Sequence, residues 1–378
     1  MTSLRIGVNA LYLIPGGVGG TEIYLRCLLA ALAEIDTVNR YVVFTNRETG
    51  TDLVPRRPNF EHAPQDVRGA VRPARIFWEQ TRLPHAARRR RLDVLFNPGF
   101  TSPIVSPCPT VTVFHDLQHK RHPEYFRWFD LPFWRFFLYA SARRSTLLLA
   151  DSEATREDLL KYYRVPAGKV RVAPLGVDSR FFEIGEQRKS IQPQPYLLAV
   201  STLHPHKNFD RLIRAFAEFR RARPEFSLVI AGLRGFHAEA IESLICELGL
   251  RENVRLTGWI PRDELYGLFL HAFAFLYPTT FEGFGLPVLE ALAAGIPTGC
   301  SAIEPVKSIA GNAALQFDPE DRGAIAEAIA RLTSDEKLRS VLAESGPRRA
   351  AEFSWTKTAE LTLAALQQAA GYRSRSSS

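Results

Sequence analysis

Short apolar runs alternate with amphipathic stretches along the whole chain, and this alternation predicts a succession of strands and helices. Strands are predicted at 4–9, 41–45, 92–97, 110–114, 146–150, 196–201, 226–231, 254–258 and 272–277. Helices are predicted at 21–32, 153–163, 209–223, 288–294, 324–332, 335–344 and 356–368. Strands that alternate with helices in this way are typical of α/β proteins with parallel sheets.

The length of 378 residues suits two domains better than one core. Residues 184–195 are polar, contain prolines and show no periodicity, so they are predicted to link an N-terminal domain, 1–183, to a C-terminal domain, 196–352. Both domains are predicted to be doubly wound. The region between the second and third strands is arginine-rich and is predicted to be irregular, and the tail 373–378 is predicted to be disordered.

The composition is that of a soluble globular protein, with 46% hydrophobic and 23% charged residues. No apolar run is long enough to span a bilayer, and the N-terminus lacks the pattern of a signal peptide. The four cysteines, Cys27, Cys108, Cys246 and Cys300, are widely scattered and indicate neither a metal site nor disulfides. These observations predict a cytoplasmic protein without a bound metal.

The net charge of +8 is concentrated in the first half of the chain. Residues 1–183 contain 26 Lys and Arg against 18 Asp and Glu, whereas the remaining residues contain 22 of each. Such a bias favours an anionic partner, and nucleic acid, a membrane surface and a phosphorylated substrate are all candidates. The run 88–91, four arginines, is either a solvated helix end or a patch for lipid head groups.

The segment 121–139 is rich in aromatic residues interleaved with arginine. Three interpretations are open. The segment is a helix packed on the domain core, a membrane-interface element, or a surface for single-stranded nucleic acid.

The stretch 277–297 carries the strongest chemical signal. Its sequence is Tyr-Pro-Thr-Thr-Phe-Glu-Gly-Phe-Gly-Leu-Pro-Val-Leu-Glu-Ala-Leu-Ala-Ala-Gly-Ile-Pro. A strand leads into a loop with Glu282, Gly283 and Gly285, and Pro287 opens a helix. Backbone N–H groups in a glycine loop at a helix N-terminus predict a phosphate or diphosphate site.

Glu290 is expected in the first turn of that helix, so that it and Glu282 border one pocket. Because carboxylates beside an anion site would repel the anion, both are expected to accept hydrogen bonds from sugar hydroxyls. The alternative is that Glu290 only complements the helix dipole and that Gly283 and Gly285 only form a turn.

These residues resemble the acid-x7-acid motif of the retaining family 4 glycosyltransferases. The resemblance implies the GT-B fold, in which two Rossmann-like domains face each other across a cleft. The acceptor would bind to the N-terminal domain and the nucleotide sugar to the C-terminal one, and a last helix at 353–372 would pack back on the first domain. No cofactor or metal is implied, and no Asp-x-Asp triplet is present.

Three residues are candidates for catalysis. His115 follows the strand 110–114 at the sheet edge where ligands bind, although it could merely satisfy the strand end. The resemblance implies that His115 approaches the transferred sugar, that Lys207 binds the diphosphate and that Glu282 holds the sugar hydroxyls. His206 stands where arginine is common in the family, and Ser201 and Thr202 stand where many members have Gly-Arg.

The resemblance also implies a larger donor-binding set. The glycines of the loop after the first strand can form an anion cradle or only a turn, and they match neither the dinucleotide fingerprint nor the lysine-containing phosphate loop. Glu290 would hold the ribose hydroxyls, and the loops at Gly232 and Trp259 would frame the base. The set comprises Gly16, Gly17, Gly20, Thr202, Lys207, Gly232, Trp259, Ile260, Glu282, Gly283, Phe284, Gly285, Leu286 and Glu290.

The expected activity is retaining transfer of a hexose, with mannose from GDP-mannose as the first candidate, to a glycan or lipid-linked acceptor in surface-polysaccharide synthesis. Lipid-linked acceptors favour the membrane interpretation of the aromatic segment, so we expect peripheral contact with the inner face of the cytoplasmic membrane and no nucleic-acid partner. A nucleotide-sugar epimerase on this fold and a non-catalytic, basic membrane-binding protein are the alternatives. A glycosidase with Glu282 and Glu290 as its acid pair would not need the adjacent phosphate site.

Overall fold

The chain folds into two α/β units, each built on its own parallel sheet. The computed structural model describes residues 3–17, 19–126 and 131–376, and for 372–376 it describes the backbone only. Unit 1 consists of Met1–Gly176 and Trp355–Ser378, and unit 2 of Val177–Ser354.

The described strands of unit 1 form a sheet in the order β3-β2-β1-β4-β5-β6-β7, with all neighbours parallel. They are β1 (Arg5–Ala10), β2 (Arg40–Thr45), β3 (Phe60–Pro64), β4 (Val94–Asn97), β5 (Thr110–Phe114), β6 (Leu147–Ala150) and β7 (Val170–Val172). All residues of β4, β5 and β6 are buried, as expected for parallel strands covered on both faces. The strand order reverses between β1 and β4, which opens a crevice at their carboxyl ends.

Among the described residues of unit 1, five α-helices precede the second unit. They are α1 (Gly20–Ile35), α2 (Arg72–Arg89), α3 (Gln118–Arg121), α4 (Leu131–Arg144) and α5 (Glu153–Tyr163). Ser152 caps α5 by accepting a hydrogen bond from the Thr155 N–H at 3.1 Å. Residues 127–130 of the aromatic segment lie outside the described residues.

The prediction of an irregular, arginine-rich region after β2 is wrong. This region contains the edge strand β3 and the 18-residue helix α2. The helix was hidden because its buried face includes two ionisable residues, Arg75 and Glu79, beside Ile76, Leu83 and Ala87. Arg88 and Arg89 form its last turn, which agrees with the helix-end interpretation of the arginine run.

The described strands of unit 2 form a sheet in the order β10-β9-β8-β11-β12-β13, again with parallel neighbours. They are β8 (Tyr196–Val200), β9 (Ser227–Ala231), β10 (Val254–Leu256), β11 (Ala274–Tyr277), β12 (Thr298–Ser301) and β13 (Leu315–Phe317). The order reverses between β8 and β11. Strands β12 and β13 were not predicted, because four residues of mixed polarity and three residues carry almost no periodicity.

Eight helices belong to unit 2. They are α6 (Ser179–Arg188), α7 (Phe209–Arg220), α8 (Ala238–Glu247), α9 (Arg262–His271), α10 (Leu286–Ala293), α11 (Val306–Ala310), α12 (Arg322–Ser334) and α13 (Glu336–Ala350). Helices α7 and α12 pack against each other and help to enclose the main core of this unit.

Helix α6 occupies part of the segment for which a linker is predicted, 184–195. Asp178 caps this helix by accepting a hydrogen bond from the Arg180 N–H at 3.0 Å. Phe181 is fully buried, with its ring 5.2 Å from Tyr266 and 4.9 Å from Phe269 of α9. The unit boundary therefore falls after Gly176 rather than after residue 183.

The last helix, α14 (Trp355–Ser376), belongs to unit 1 and packs against α1. The Trp355 ring lies 6.1 Å from Tyr24, and the Thr358 hydroxyl donates to the Pro174 carbonyl at 2.6 Å. The helix extends into the tail for which disorder is predicted, 373–378, and residues 377–378 lie outside the described part of the chain.

If α6 is an integral part of unit 2, replacing Phe181 should destabilise it. We expect Phe181→Ala to lower the free energy of unfolding by about 3 kcal/mol, because it leaves a cavity between α6 and α9. Denaturant titration of the full chain measures this loss. Arg180→Ala, which removes an exposed neighbour, is the control, and equal small effects of both changes would mean that α6 is only a linker.

Candidate functional site

Two loops meet at the carboxyl edge of the unit 2 sheet, where its strand order reverses. Lys207 lies in the loop after β8, and Glu282 lies in the loop after the neighbouring strand β11. The Lys207 ammonium donates to Glu282 Oε1, and both side chains are only about one-eighth exposed, at 13% and 12%. The structure thus brings together two of the three predicted catalytic residues.

A third side chain, that of Tyr277, contacts both members of this ion pair. Its hydroxyl donates to Glu282 Oε1 at 2.6 Å, and Lys207 Nζ lies 3.4 Å from the same hydroxyl. Burial and the neighbouring Glu282 carboxylate raise the pKa of Tyr277 well above its ordinary value, so the phenol remains a donor. The hydrogen bonds that described residues donate to Glu282 end on Oε1, which leaves Oε2 to accept from a ligand.

Hydrogen bonds to backbone carbonyl groups clamp the two loops together. The Thr280 N–H donates to the His206 carbonyl at 2.7 Å, and the Thr279 hydroxyl donates to the same oxygen at 3.0 Å. Asn208 is in the left-handed region, with φ 58°, and its amide donates to the Pro278 carbonyl at 2.9 Å. This clamp determines the distance between Lys207 and Glu282.

Helix α10 begins directly after the loop that contains Glu282. Gly285 precedes it with φ 111°, a conformation that other residues rarely adopt, and its end has no side-chain cap. The N-terminus with Leu286 therefore presents backbone N–H groups and partial positive charge at the loop. The Phe284 ring is buried and lies 6.0 Å from Phe353, so residue 284 offers a ligand only its backbone.

Glu290 does not lie in the first turn of α10, as the sequence predicted, but in the second, because the helix begins at Leu286. It is only 4% exposed. Burial raises its pKa to about 7, and the positive charge of Arg262 opposes this shift. Burial outweighs that attraction because the guanidinium is 3.4 Å from Glu290 Oε1 and is shared with a second carboxylate.

The second carboxylate is Asp178, which sequence reasoning did not include in the site. Arg262 Nη2 lies 3.4 Å from Asp178 Oδ2, to which the Tyr266 hydroxyl donates at 2.7 Å. Burial disfavours the charge on Asp178, but the Arg180 N–H and Tyr266 hold its pKa below the ordinary value. No local pattern links residues 178, 262 and 290, since their proximity depends on the packing of three helices.

The residues predicted to frame the base lie on loops at the same sheet edge. Gly232 follows β9 with φ 149°, and a Cβ there would lie 2.1 Å from the Ser201 carbonyl oxygen, so glycine is required. Thr202 follows β8 and is half-buried. Trp259 is 60% exposed, and Ile260 beside it is half-buried, on the loop after the edge strand β10.

In unit 1, His115 follows β5 at the carboxyl edge and is buried. Its Nδ1 lies 2.7 Å from Asp151 Oδ2, and its Nε2 lies 2.9 Å from the Pro98 carbonyl oxygen. Both partners are acceptors, so both ring nitrogens donate and the ring is cationic. Burial works against this charge, but Asp151 outweighs it and raises the pKa of His115. These two contacts hold the ring within unit 1, and the approach of His115 to a sugar, which the resemblance implies, stays a prediction.

The glycine loop of unit 1 is exposed. Gly16 has φ 71°, and its N–H donates to Glu22 Oε2 at 2.8 Å. The Gly17 N–H donates to the Ile14 carbonyl at 2.8 Å, and Gly20 is the first residue of α1. Two of the predicted cradle N–H groups are therefore already engaged, and Val18 lies outside the described residues.

Neither a metal-binding cluster nor a membrane-spanning helix occurs among the described residues. These residues contain no group of three His, Cys, Asp or Glu side chains arranged to hold a metal ion. None of the described helices combines the length and apolar character that crossing a bilayer requires.

In comparison with known proteins, each half of the chain matches a family of glycosyltransferases. Residues 18–181 match the family described as "Glycosyltransferase Family 4", and residues 181–349 match "Glycosyl transferases group 1". The chain is 30% identical over 262 residues to O-antigen chain mannosyltransferase B of Escherichia coli, a match that covers 67% of this chain and 68% of that protein. The chain belongs to the family 4 glycosyltransferases.

Two further comparisons show how much of the chain is similar to another relative and to a solved structure. The enzyme is 27% identical over 273 residues to the serotype-specific mannosyltransferase WbdA of E. coli, but the match spans only 33% of that longer protein. Anabaena HepE, solved in complex with UDP and glucose, has the same fold at 18% identity, with a TM-score of 0.74 over 96% of this chain and 99% of HepE. The two parallel-sheet units of this glycosyltransferase are thus those of the GT-B fold.

The raised pKa of Glu290 predicts a dependence of stability on pH. The folded enzyme holds this proton more tightly than the unfolded chain does, so the stabilisation is complete below about pH 4.5 and is lost as the pH rises through about 7. We expect Glu290→Gln, which stays neutral, to gain up to about 3 kcal/mol of stability relative to wild type between pH 4 and pH 8. Denaturant titration at several pH values measures the gain.

The control for this experiment is Glu344→Gln, since Glu344 is an exposed carboxylate on α13. Its difference from wild type should stay constant over the same pH range. A constant difference for Glu290→Gln as well would mean that the pKa of Glu290 is the same in the folded and the unfolded chain.

Proposed function

We propose that this glycosyltransferase moves a hexose from a nucleotide sugar to a glycan or lipid-linked acceptor in surface-polysaccharide synthesis, with retention of configuration. Mannose from GDP-mannose is the proposed donor group. The geometry that carries the proposal is the cluster of Lys207, Tyr277 and Glu282 beside the N-terminus of α10. Support for mannose and for polysaccharide comes from the names of the relatives, which include an O-antigen chain mannosyltransferase.

The cluster suits a substrate that has an anionic group next to hydroxyl groups. Lys207 can exchange Glu282 for a diphosphate oxygen, and the N–H groups at the start of α10 add further donors. Glu282, still held by Tyr277, can then accept from the sugar hydroxyls through both carboxylate oxygens. Glu290 is proposed to accept from the ribose hydroxyls, which requires it to be ionised or to lose its proton on binding.

The proposed reaction breaks the bond between C1 of the sugar and the diphosphate oxygen, and the electron pair leaves with the diphosphate. Lys207 and the helix N–H groups stabilise the developing charge. The acceptor hydroxyl attacks C1 from the face that the diphosphate leaves, and its proton passes to the departing phosphate. A cation and backbone dipoles stabilise the leaving group in this scheme, so we propose that the reaction is independent of a divalent metal.

The role proposed for His115 is narrower than the sequence suggested. Its ring already donates to Asp151 and to the Pro98 carbonyl. Contact with the sugar would require Nε2 to exchange the carbonyl for a sugar hydroxyl. The contributions of Gly16, Gly17, Gly20, Thr202, Trp259 and Ile260 to donor binding remain predictions.

The donor assignment is tested by incubating the full chain with GDP-, UDP-, ADP- and dTDP-sugars, with and without EDTA, and measuring the nucleoside diphosphate released. We expect release from GDP-mannose, unaffected by EDTA. Glu282→Gln and Lys207→Ala should each lower the rate by about 10²-fold or more, the usual effect of removing a group that stabilises a transition state.

Glu344→Gln, an exposed change in the same unit, should leave the rate unchanged. Release from another donor would correct the base or the sugar and keep the site. Equal release by wild type and Glu282→Gln would refute the site. Conversion of the donor to an epimer without release would identify an epimerase.

The aromatic helix α4 supports contact with an anionic membrane. Phe133, Phe136 and Tyr139 recur at a spacing of three residues and are 45%, 58% and 47% exposed. Phe137 packs between the first two, with ring distances of 4.7 and 5.2 Å. The exposed Arg143 lies in the last turn. An apolar stripe that ends in cationic side chains fits an anionic lipid surface.

Vesicle sedimentation tests this contact. The full chain should bind vesicles of phosphatidylcholine and phosphatidylglycerol in a 3:1 mixture and be released by high salt. Phe136→Ser should weaken partitioning by about tenfold, because a buried phenyl ring contributes about 1.5–3 kcal/mol. Phe236→Ser, a change at an equally exposed ring in unit 2, is the control. Binding that is absent, or equal for both variants, would contradict the proposal.

A further inference from the structure

Arg75 on α2 is a buried cation without a hydrogen-bonded partner in the described part of the chain. The residue is 8% exposed, and its Nε is enclosed and makes no hydrogen bond. No described residue accepts a hydrogen bond from its guanidinium or lies in an ion pair with it. Burial lowers its pKa, yet an arginine stays charged at any physiological pH.

Two other arginines with an unpaired, buried Nε show what a purely structural arginine does here. Arg188 donates through Nη1 to the carbonyls of Phe269 and Leu270, at 2.9 and 2.7 Å, and so caps the end of α9. Arg135 donates through Nη2 to the His119 carbonyl at 3.3 Å. Arg75 makes no such bond to a described carbonyl, so the backbone does not account for its burial.

The nearest acid, Glu79, does not neutralise Arg75 by direct contact. Glu79 lies one turn further along α2, and its Oε2 accepts from the Asn9 amide and the Thr101 hydroxyl, both at 2.9 Å. Its Oε1 accepts from the Gln80 amide at 3.3 Å. The carboxylate attracts Arg75 only across a distance, while Arg72 repels it. Of the three guanidinium nitrogens, only Nε is fully enclosed without a partner, and enclosing an unpaired polar group costs free energy that an anionic ligand would offset.

Arg75 lies at the part of unit 1 where ligands bind in open α/β sheets. Asn9 is the last residue but one of β1 and Asn97 is the last residue of β4, the two strands between which the order reverses. The Asn9 amide donates to Asn97 Oδ1 at 3.1 Å. Asn9 holds Glu79, so α2 is anchored at this crevice. The sheet edge thus carries the two amides and the Glu79 carboxylate in one buried polar group, and Arg75 lies one turn of α2 before that carboxylate.

The same crevice adjoins the start of α1. Burial raises the pKa of the Tyr12 phenol, and the positive charge of Arg75 opposes this rise. The Tyr12 hydroxyl donates to the Thr21 carbonyl in the first turn of α1 at 3.2 Å. A Cβ at Gly19 or Gly20 would meet no atom within 4 Å, so space is open beside this helix end. Glu22 also lies in this turn, but Arg26 pairs with it at 2.8 Å.

We infer that Arg75 is the receptor for a phosphate group in unit 1, at the crevice between β1 and β4 and next to the N-terminus of α1. The planar guanidinium can donate two parallel hydrogen bonds to phosphate oxygens, which a lysine cannot. The phosphate belongs either to a lipid-linked acceptor or to the donor diphosphate. Its assignment to a substrate of transfer rests on the proposed function, whereas the anion site itself does not.

The anion site is tested by the thermal stability of the full chain in rising concentrations of pyrophosphate. Lys207→Ala serves as the background, so that the proposed phosphate site of unit 2 does not contribute. We expect pyrophosphate to raise the melting temperature of this protein, and Arg75→Gln to raise the apparent dissociation constant by about tenfold or more. Arg82→Gln, which removes an exposed charge from the same helix, should leave the constant unchanged.

The stability of Arg75→Gln without ligand separates a receptor from a structural residue. Removing an unsatisfied buried charge should leave the melting temperature equal or higher. A lower melting temperature, with the pyrophosphate effect intact, would show that Arg75 only balances Glu79 and would overturn the inference. If Arg75→Gln does not fold, Arg75→Lys replaces it, and an undiminished pyrophosphate effect in that variant would equally count against a bidentate receptor.

The two sources of phosphate are distinguished in wild-type background. A higher KM of Arg75→Gln for GDP-mannose in the release assay without acceptor identifies the donor diphosphate. An unchanged KM, with weaker stabilisation by geranyl diphosphate, identifies a lipid-linked acceptor. If the proposed donor fails but pyrophosphate binding still depends on Arg75, the anion site stands and only the proposed function falls.

Discussion

The chemistry of unit 2 depends on one parallel pairing, that of β8 with β11. Ala274 lies opposite Leu197 and Phe275 opposite Leu198, in strands that are buried on both faces. Because parallel strands end at the same edge, this register delivers Lys207 and Glu282 to one point although 75 residues separate them. A slip of one residue would turn every side chain of β11 to the other face and would separate the pair.

The groups around that point are arranged so that each buried charge has a defined partner. Lys207 and Tyr277 bind the same oxygen of Glu282, and Arg262 is divided between Glu290 and Asp178. Each of these carboxylates can therefore still accept hydrogen bonds. The raised pKa of Glu290 reflects this incomplete compensation. In unit 1, by contrast, His115 is fully engaged and Arg75 is not, and the inference of a phosphate receptor follows from that asymmetry.

The residues that depart from the family pattern, among them His206 and Ser201, have structural roles. His206 is buried, its ring lies beside those of His204 and Phe281, and its carbonyl receives hydrogen bonds from Thr279 and Thr280. The residue thus serves the clamp between the two loops. Ser201 lies under Gly232, whose missing Cβ makes room for its carbonyl. Neither position presents an exposed second cation in unit 2.

The sequence by itself determined the fold class, most strand positions and the motif around Glu282, because local patterns of residues indicate each of these. Apolar runs mark buried parallel strands, and a glycine loop before Pro287 marks a helix N-terminus that is suited to an anion. The same local patterns, together with the resemblance they carry, sufficed to predict the glycosyltransferase family.

Only the tertiary structure decided which charges meet and which are left without a partner. Arg262 joins Asp178 and Glu290 across 84 and 28 residues, and no periodicity signals such a contact. Arg75 and Glu79 fall in the region that the sequence predicted to be irregular, because ionisable side chains on the buried face of α2 mask its amphipathic pattern. Burial is a property of the packed chain, and it is burial that turns an ordinary arginine into a receptor and an ordinary glutamate into a group that titrates near neutral pH.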